Sequence, residues 1–386
     1  MHILIVALHR ADQPTGVCRH GSGLARCLTD LNAVDQITLV IGSWQRDYFA
    51  AFSGLSSPKI NLIDVEIKNN SIARNLWFLF QLPRLVKEQS PDLVHLSFPL
   101  PVLRSRFDCP IVATIHDLYA YDFPDNFGRL RAKFNQLIFQ QCVTHVDGLT
   151  CVSKTTRERL IYYFPSVKKN QQLNITYNYV DFSNSEPKLP DFFRHKGNLS
   201  FILTVAQHRK NKNLDLLFAA FSELKIDHKI PKDTELIVVG SPGPETENLR
   251  QQIDELELQD TIHLLSKLRD RELQWLYINA QLFVIPSATE GFCLPLAEAL
   301  YFSTPCVCSN IPILQEIGGS ECTYFDLSNT PTLNLKQAII QTLPVSSHST
   351  KIPPTQFPFS KRRASQSYLQ FYSEVIETNF VKNKQS

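Results

Sequence analysis

The chain has 386 residues, 43% hydrophobic and 20% charged, which excludes a disordered segment and predicts two to three globular domains of ~150 residues each. Its 39 basic and 37 acidic residues leave a net charge of +2, too even for a nucleic-acid binder working through bulk charge. Glycine is scarce at 13 residues, about half of the average share of ~7%, so the chain should keep it where the backbone requires it. In chain order, short β-branched runs alternate with longer helical stretches. Strands are predicted over 2–8, 37–41, 60–66, 93–96, 111–115, 148–152 and 174–177. Helices are predicted over 23–31, 72–88, 129–143 and 154–163, the last capped by Ser153. Residues 182–198, with Pro187, Pro190 and Gly197, break the rhythm and read as a linker. The alternation then restarts, with strands at 201–205, 235–239, 261–265, 281–285 and 306–309. Helices fall at 214–224, 247–256, 270–279 and 294–302. After Ser346 the chain is irregular and carries Pro353, Pro354 and Pro358. A helix follows over 360–376, with Tyr368, Phe371 and Tyr372 on its apolar face and a frayed tail from Asn379.

This pattern predicts an α/β protein with two doubly wound parallel sheets. The domains expected are 1–181, a linker at 182–198, 199–345, and a C-terminal helix at 359–378 that packs back on the first domain. Two such domains facing one another would make a cleft, and open parallel sheets bind ligands beyond the carboxyl ends of their strands. The helical segment around 71–89 has an apolar set, Ile72, Leu76, Trp77, Leu79, Phe80 and Leu85, beside Arg74, Arg84 and Lys87. That set fits a core-packed amphipathic helix better than a membrane-surface one.

The nine cysteines contain no C-x-x-C pair, and Cys306 and Cys308 fit a buried strand better than a metal site. Such usage fits a reducing compartment. The opening apolar run lacks the flanks of a signal peptide, and no stretch is long enough for a spanning helix. A soluble, cytoplasmic protein is expected.

The most specific segment runs from Pro286 to Leu300, PSATEGFCLPLAEAL. It follows an apolar strand and opens a helix, with Pro295 where a first-turn proline is tolerated. A strand, a glycine turn and a helix N-terminus together present backbone N–H groups to an anion. Glu290 lies in the turn and Glu298 about one turn into the helix, placed to reach opposite ends of one ligand.

Two glutamates eight positions apart around Gly-Phe-x-Leu-Pro resemble the signature of the glycosyltransferase group 1 family (family 4). Four further segments are similar to that family in the same order: Thr114 to Leu118 with its His-Asp pair, Asp147 to Ser153, Tyr177 to Asp181, and Leu203 to Leu214. The resemblance implies a GT-B fold of two Rossmann-like domains and transfer that retains anomeric configuration. Two departures stand out. Ala206-Gln207 replaces the family's usual Gly-Arg, so His208, Arg209 or Lys210 would supply the positive charge, and Cys293 stands where glycine is frequent.

On that resemblance Arg209 and Lys212 would meet the donor diphosphate. Glu290, with the backbone of Gly291, Phe292, Cys293 and Leu294, would hold the sugar, and Glu298 the ribose. His116 would contact the transferred sugar or the acceptor hydroxyl, and Gly16 would form the glycine turn of a loop closing over the donor, with Arg19 nearby. No aspartate has another two positions away, so the Asp-x-Asp metal site of the other nucleotide-sugar transferase class is missing. No metal and no cofactor are expected, and Arg, Lys and helix N–H groups would balance the leaving diphosphate. The implied activity is transfer of a hexose, mannose-like as a first guess, from a nucleotide diphosphate sugar to a glycan or glycolipid in polysaccharide biosynthesis. The reaction would be front-face displacement with domain closure excluding water. Peripheral contact with the inner face of a membrane stays open, and no nucleic-acid partner is expected. Two rivals remain, a nucleotide-sugar epimerase of the same fold and a binding-only homologue, while the incomplete Gly21-x-Gly23 fingerprint disfavours a dehydrogenase. Eight glycines (Gly16, Gly21, Gly23, Gly240, Gly243, Gly291, Gly318 and Gly319) would mark loops around the ligand.

Overall fold

Ile3, Leu4, Ile5 and Val6 are all fully buried, so the opening apolar run is covered on both faces, as a central parallel strand requires. The structure, a computed structural model, describes residues 1–10, 16–50, 55–124, 128–182, 186–194, 196, 200–266, 268–343 and 357–385. Thr15 of the first loop, Gly197 and its neighbours in the expected linker, and the irregular stretch with Pro353 and Pro354 lie outside the described residues. The chain divides into two compact units, Met1–Tyr179 with Lys361–Ser386, and Val180–Ser360.

The first unit runs through β1 (His2–Val6), α1 (Gly16–Thr29), β2 (Gln36–Gly42), α2 (Arg46–Ala50) and β3 (Ile60–Val65). It continues through α3 (Ser71–Leu76) and α4 (Leu82–Gln89), joined by a π-helical turn at Trp77–Gln81, then β4 (Leu93–Leu96), β5 (Ile111–Ile115), α5 (Tyr119–Asp122) and α6 (Arg129–His145). It closes with β6 (Gly148–Cys151), α7 (Lys154–Tyr163), α8 (Val167–Asn170) and β7 (Gln172–Ile175). The parallel sheet has the order β3-β2-β1-β4-β5-β6-β7. Alternation along β1 sends Leu4 and Val6 to a core with Phe78, Leu82 and Leu160, and Ile3 and Ile5 to the opposite core with Leu24 and Leu28 of α1.

The second unit contains β8 (Phe201–Val205), α9 (Leu214–Ile226), β9 (Glu235–Val239), α10 (Thr246–Glu255), β10 (Ile262–Leu265) and α11 (Asp270–Asn279). It goes on through β11 (Leu282–Ile285), α12 (Leu294–Tyr301), β12 (Cys306–Ser309), α13 (Pro312–Gly318), β13 (Cys322–Phe325) and α14 (Pro331–Thr342). Its parallel sheet, β10-β9-β8-β11-β12-β13, has the same winding. The chain then returns to the first unit as α15 (Lys361–Gln385), whose Tyr368, Phe371, Tyr372 and Val375 pack against α1 and the sheet. Gly148 makes this seat possible: a Cβ there would lie 2.9 Å from Phe371 Cζ and from Val375 Cγ2.

Several expectations are corrected. α1 begins at Gly16, seven residues earlier than expected, so Gly21 and Gly23 lie inside a helix and not in a ligand loop. Packing explains Gly21, where a Cβ would sit 2.8 Å from Ala7 Cβ, whereas one on Gly23 would make ordinary contact with Tyr179 at 3.6 Å. The helix around 71–89 buries Trp77, Phe78 and Leu82, but Ile72, Leu76 and Phe80 form an exposed i, i+4, i+8 stripe. The 182–198 segment includes a short 3₁₀ turn, Asp191–Phe193, whose Phe193 is buried against Phe201 and Trp275. α15 runs to Gln385, past the frayed tail expected from Asn379. The elements α13, β13 and α14 were not anticipated.

Candidate active site

In the second unit, two loops at the carboxyl ends of β8 and β11 are tied together. After β8, residues Lys210–Lys212 make a 3₁₀ turn, and Asn213 takes a left-handed conformation (φ 47°) that asparagine tolerates. The Asn213 side chain donates to Pro286 O (2.9 Å), the Asn211 side chain to Thr289 O (3.4 Å), and Ala288 N to Asn211 O (2.8 Å). These bonds bring Lys212 Nζ to 2.6 Å from Glu290 Oε1, where both side chains are less than one-fifth exposed. Ser287 Oγ–H donates to the same carboxylate oxygen at 2.8 Å.

Glu290 leads through Gly291 into α12. Phe292 is buried with its ring edge-on to Phe359, so only its backbone is placed to meet a ligand. Cys293 takes the N-cap position at φ 67°, a left-handed geometry that explains why glycine suits this place. Burial pushes its thiol well above the usual range. Leu294 opens α12, and no side chain caps that N-terminus. Glu298, only 6% exposed, accepts a hydrogen bond from Tyr277 OH (2.8 Å) on α11. The two glutamates therefore have separate partners at successive turns of one segment.

The charges expected after β8 are distributed unevenly. Arg209 lines a cavity of about 120 Å³ with Lys210, Leu214, Asp215, Glu245 and Asn248, a lining that includes neither Lys212 nor Glu290. Lys210 is exposed and pairs with Asp215 (3.1 Å). His208 is buried against Thr246, and that burial lowers its pKa, so it does not supply the missing positive charge. The loop after β9 lies directly against this segment, because a Cβ on Gly240 would be 1.8 Å from Ala206 O and one on Gly243 would be 2.3 Å from His208 O.

In the first unit, His116 follows β5, and its Nε2–H donates to Ser97 O (2.8 Å). Its ring stands perpendicular to His20 of α1, with centroids 4.6 Å apart. Burial lowers the pKa of His116, with Asp117 opposing the shift. Gly16 is the exposed first residue of α1, and neither a positive φ nor a neighbour within 4 Å demands glycine, which corrects the expected glycine turn. Arg19 is half-buried in the same helix.

Sequence reasoning missed Ser287, Tyr277, His20, His95 and Ser97 as partners of the chosen residues. Only His95, a polar residue within the apolar run Leu93–Leu96, carries a signal of its own. Among the described residues, no group of three His, Cys, Asp or Glu could hold a metal ion, and no helix is long and apolar enough to cross a membrane.

Two doubly wound parallel sheets, the second carrying paired glutamates at a helix N-terminus, define the GT-B class of sugar-transferring enzymes. Residues 14–184 match the family described as Glycosyltransferase Family 4, and residues 185–325 match Glycosyl transferases group 1. The chain belongs to the group 1 glycosyltransferases. It is 25% identical over 321 residues to the O-antigen chain mannosyltransferase RfbU of Salmonella typhimurium, covering 81% of this chain and 84% of that protein. Among solved structures it is similar in fold to a sucrose-phosphate synthase from Thermosynechococcus elongatus, with TM-score 0.67 and 16% identity over 100% and 98% of the two chains. It is also similar to HepE from Anabaena in complex with UDP-glucose, with TM-score 0.66 and 15% identity over 99% and 100% of the chains.

Proposed function

We propose that the protein is a metal-independent, retaining glycosyltransferase of polysaccharide biosynthesis. It moves a hexose, mannose as the first candidate, from a nucleotide diphosphate sugar to a hydroxyl of a glycan or glycolipid. The observation that carries this reading is the Lys212–Glu290 pair, braced by Ser287 and set where the chain enters α12. A cation and a helix N-terminus favour a diphosphate, while a carboxylate beside them accepts from sugar hydroxyls. RfbU supports the mannosyl and O-antigen reading, and the UDP-glucose bound by HepE supports a nucleotide-sugar donor.

In this proposal the second unit binds the donor and the first is the acceptor side. Glu298 holds the ribose, and Glu290 with the backbone of Gly291 to Leu294 holds the sugar. Lys212 and Arg209 stabilise charge on the leaving diphosphate, which is preorganised electrostatic catalysis. The acceptor oxygen bonds to the anomeric carbon on the face from which the phosphate leaves. The C–O bond to phosphate breaks, and the acceptor proton passes to a phosphate oxygen. His116 serves the transferred sugar or the acceptor.

The test is transfer of radiolabelled sugar from GDP-mannose and UDP-hexoses to an undecaprenyl-linked glycan. Glu290→Gln and Lys212→Gln should each lower kcat by about 10²–10³-fold with circular dichroism unchanged. Full activity in both variants would remove the site assignment. Peripheral membrane contact belongs to the same proposal. It is supported by exposed Leu130, Phe134 and Leu137 on one face of α6, a helix with Arg131 and Lys133 and no acidic residue. Wild-type protein should co-sediment with anionic vesicles and lose this on Leu130→Asp together with Leu137→Asp; no wild-type co-sedimentation would overturn the contact, and binding that survives both substitutions would remove the α6 face from it.

A further inference from the structure

The first unit contains a continuous line of polar groups inside its core. Asn178 Oδ1 is 2.9 Å from His20 Nδ1, and His20 Nε2 is 3.2 Å from Thr114 Oγ1. Thr114 Oγ1 is 2.7 Å from His95 Nε2, and His95 Nδ1 is 2.6 Å from Tyr372 OH on α15. His95, Thr114 and Tyr372 are fully buried, and His20 is 6% exposed.

The direction of every bond follows from one end. A carbonyl oxygen only accepts, so His20 Nδ1–H donates to Asn178. Buried and surrounded by other imidazoles, His20 is neutral, so its Nε2 carries a lone pair and receives the Thr114 hydroxyl proton. Thr114 Oγ1 is then left to accept, and His95 Nε2–H donates to it. His95 Nδ1 in turn accepts from Tyr372 OH. Each donor meets one acceptor, and both rings have one allowed tautomer.

His20 is also the ring perpendicular to His116 at 4.6 Å. With His116 Nε2–H committed to Ser97 O, the lone pair of that ring is on Nδ1, which has no bonding partner among the described residues. We propose that His20 is a positioning residue: fixed in one neutral tautomer by the line from Asn178 through Thr114 and His95 to Tyr372, its ring packs at right angles to His116 and holds that imidazole, whose Nε2–H is committed to Ser97 O, with Nδ1 as its hydrogen-bond acceptor. The ligand atom His116 takes is therefore a hydroxyl, as on a sugar, and not an anionic oxygen. The hydroxyl assignment rests on the proposed function; the tautomer assignment does not.

Several titratable groups face the pair. His9 and His95 stand near it on β1's side and on β4, Tyr368 and Tyr372 on α15, and Asp117 follows His116. Burial opposes a cation on His116, while the Ser97 carbonyl and Asp117 would stabilise one; Arg10 and Arg74 oppose a cation on His9.

Long-range ¹⁵N–¹H correlation spectra of the full-length protein read each tautomer directly, with no substrate needed. At pH 6 the expected pattern is His20 protonated at Nδ1 only, and His95 and His116 at Nε2 only. An imidazolium pattern, or Nδ1–H on His116, would overturn the proposal. Thr114→Val cuts the line with an isosteric side chain and should raise the pKa of His20 and mix its tautomers, with Thr114→Ser restoring the wild-type pattern. Tyr372→Phe, which removes only a hydroxyl at the far end, should shift the His95 signals most and His116 least.

In transfer assays, Thr114→Val should raise KM more than it lowers kcat, because the ring that holds His116 is no longer fixed. An unchanged KM beside changed tautomers would overturn the link between the line and the ligand. If no donor supports transfer, the proposed function fails while the spectra still decide the network.

Discussion

The two units share one winding but build the carboxyl ends of their central strands from opposite materials. The second unit places charge there: Lys212 against Glu290, with Glu298 one turn further along α12. The first unit places uncharged rings and hydroxyls there, with His116 beside His20 and the line through Thr114 and His95 behind it. Charge on a partly exposed loop suits a diphosphate, whose own charge it must answer. Neutral donors and acceptors in a dry setting suit hydroxyls, since an unpaired charge in that core would be costly. On the proposed function, similar frames would become a cation-bearing site and a neutral one through a handful of side chains.

Acid should expose this difference most strongly. Burial holds His95 at a pKa of about 3 and His9 at about 4, and it lowers His20 and His116 as well. An unfolded imidazole takes up a proton near pH 6.5. Below 6.5 the unfolded chain therefore binds more protons than the folded one, and stability falls as pH drops, until each folded pKa is passed. Between pH 7 and pH 5, His95 and His9 should each withdraw about 2 kcal/mol. Among the described residues the second unit has two histidines with lowered pKa, His208 and His263, against five in the first, His2 included, so the first unit should lose more stability between pH 7 and pH 5. Urea melts at the two pH values, followed by ¹⁵N spectra of both units, check this. His95→Gln should remove its share of the pH slope, and a wild-type slope near zero would refute the assignment.

How much of this contrast was legible in the sequence depended on the kind of signal each region carries. β4, β5, β8, β9, β12, α7 and α11 sit where their apolar runs and flanking breakers place them, because local pattern and tertiary burial agree there. α1 was misjudged at its start, since Gly21 and Gly23 look like loop residues until Ala7 and Tyr179 are seen against them. The pairing of Lys212 with Glu290 links residues 78 apart, and no local pattern announces it, although both residues were chosen. Tyr372 and His95 are 277 apart, and only the return of α15 to the first unit joins them. Single residues with family counterparts were readable, whereas their partners came from the fold.

The smallest expected effect tests the charged side of the comparison. Glu298 is almost buried, and Tyr277 OH is a donor to it at 2.8 Å. Tyr277→Phe keeps the ring packed on Phe283 and Phe302 and removes the hydroxyl that donates to Glu298. Losing a hydrogen bond to a charged acceptor costs about 1.5–3 kcal/mol of stability. Part of that loss should return when a nucleoside diphosphate is bound, because in the proposed function ribose hydroxyls would donate to the carboxylate in place of the lost donor. The variant should therefore melt a few degrees lower than wild type in the free state, and saturating nucleoside diphosphate should raise its melting temperature by more than it raises that of wild type. An equal ligand-induced shift in both proteins would separate Glu298 from the ribose and leave it a structural partner of α11.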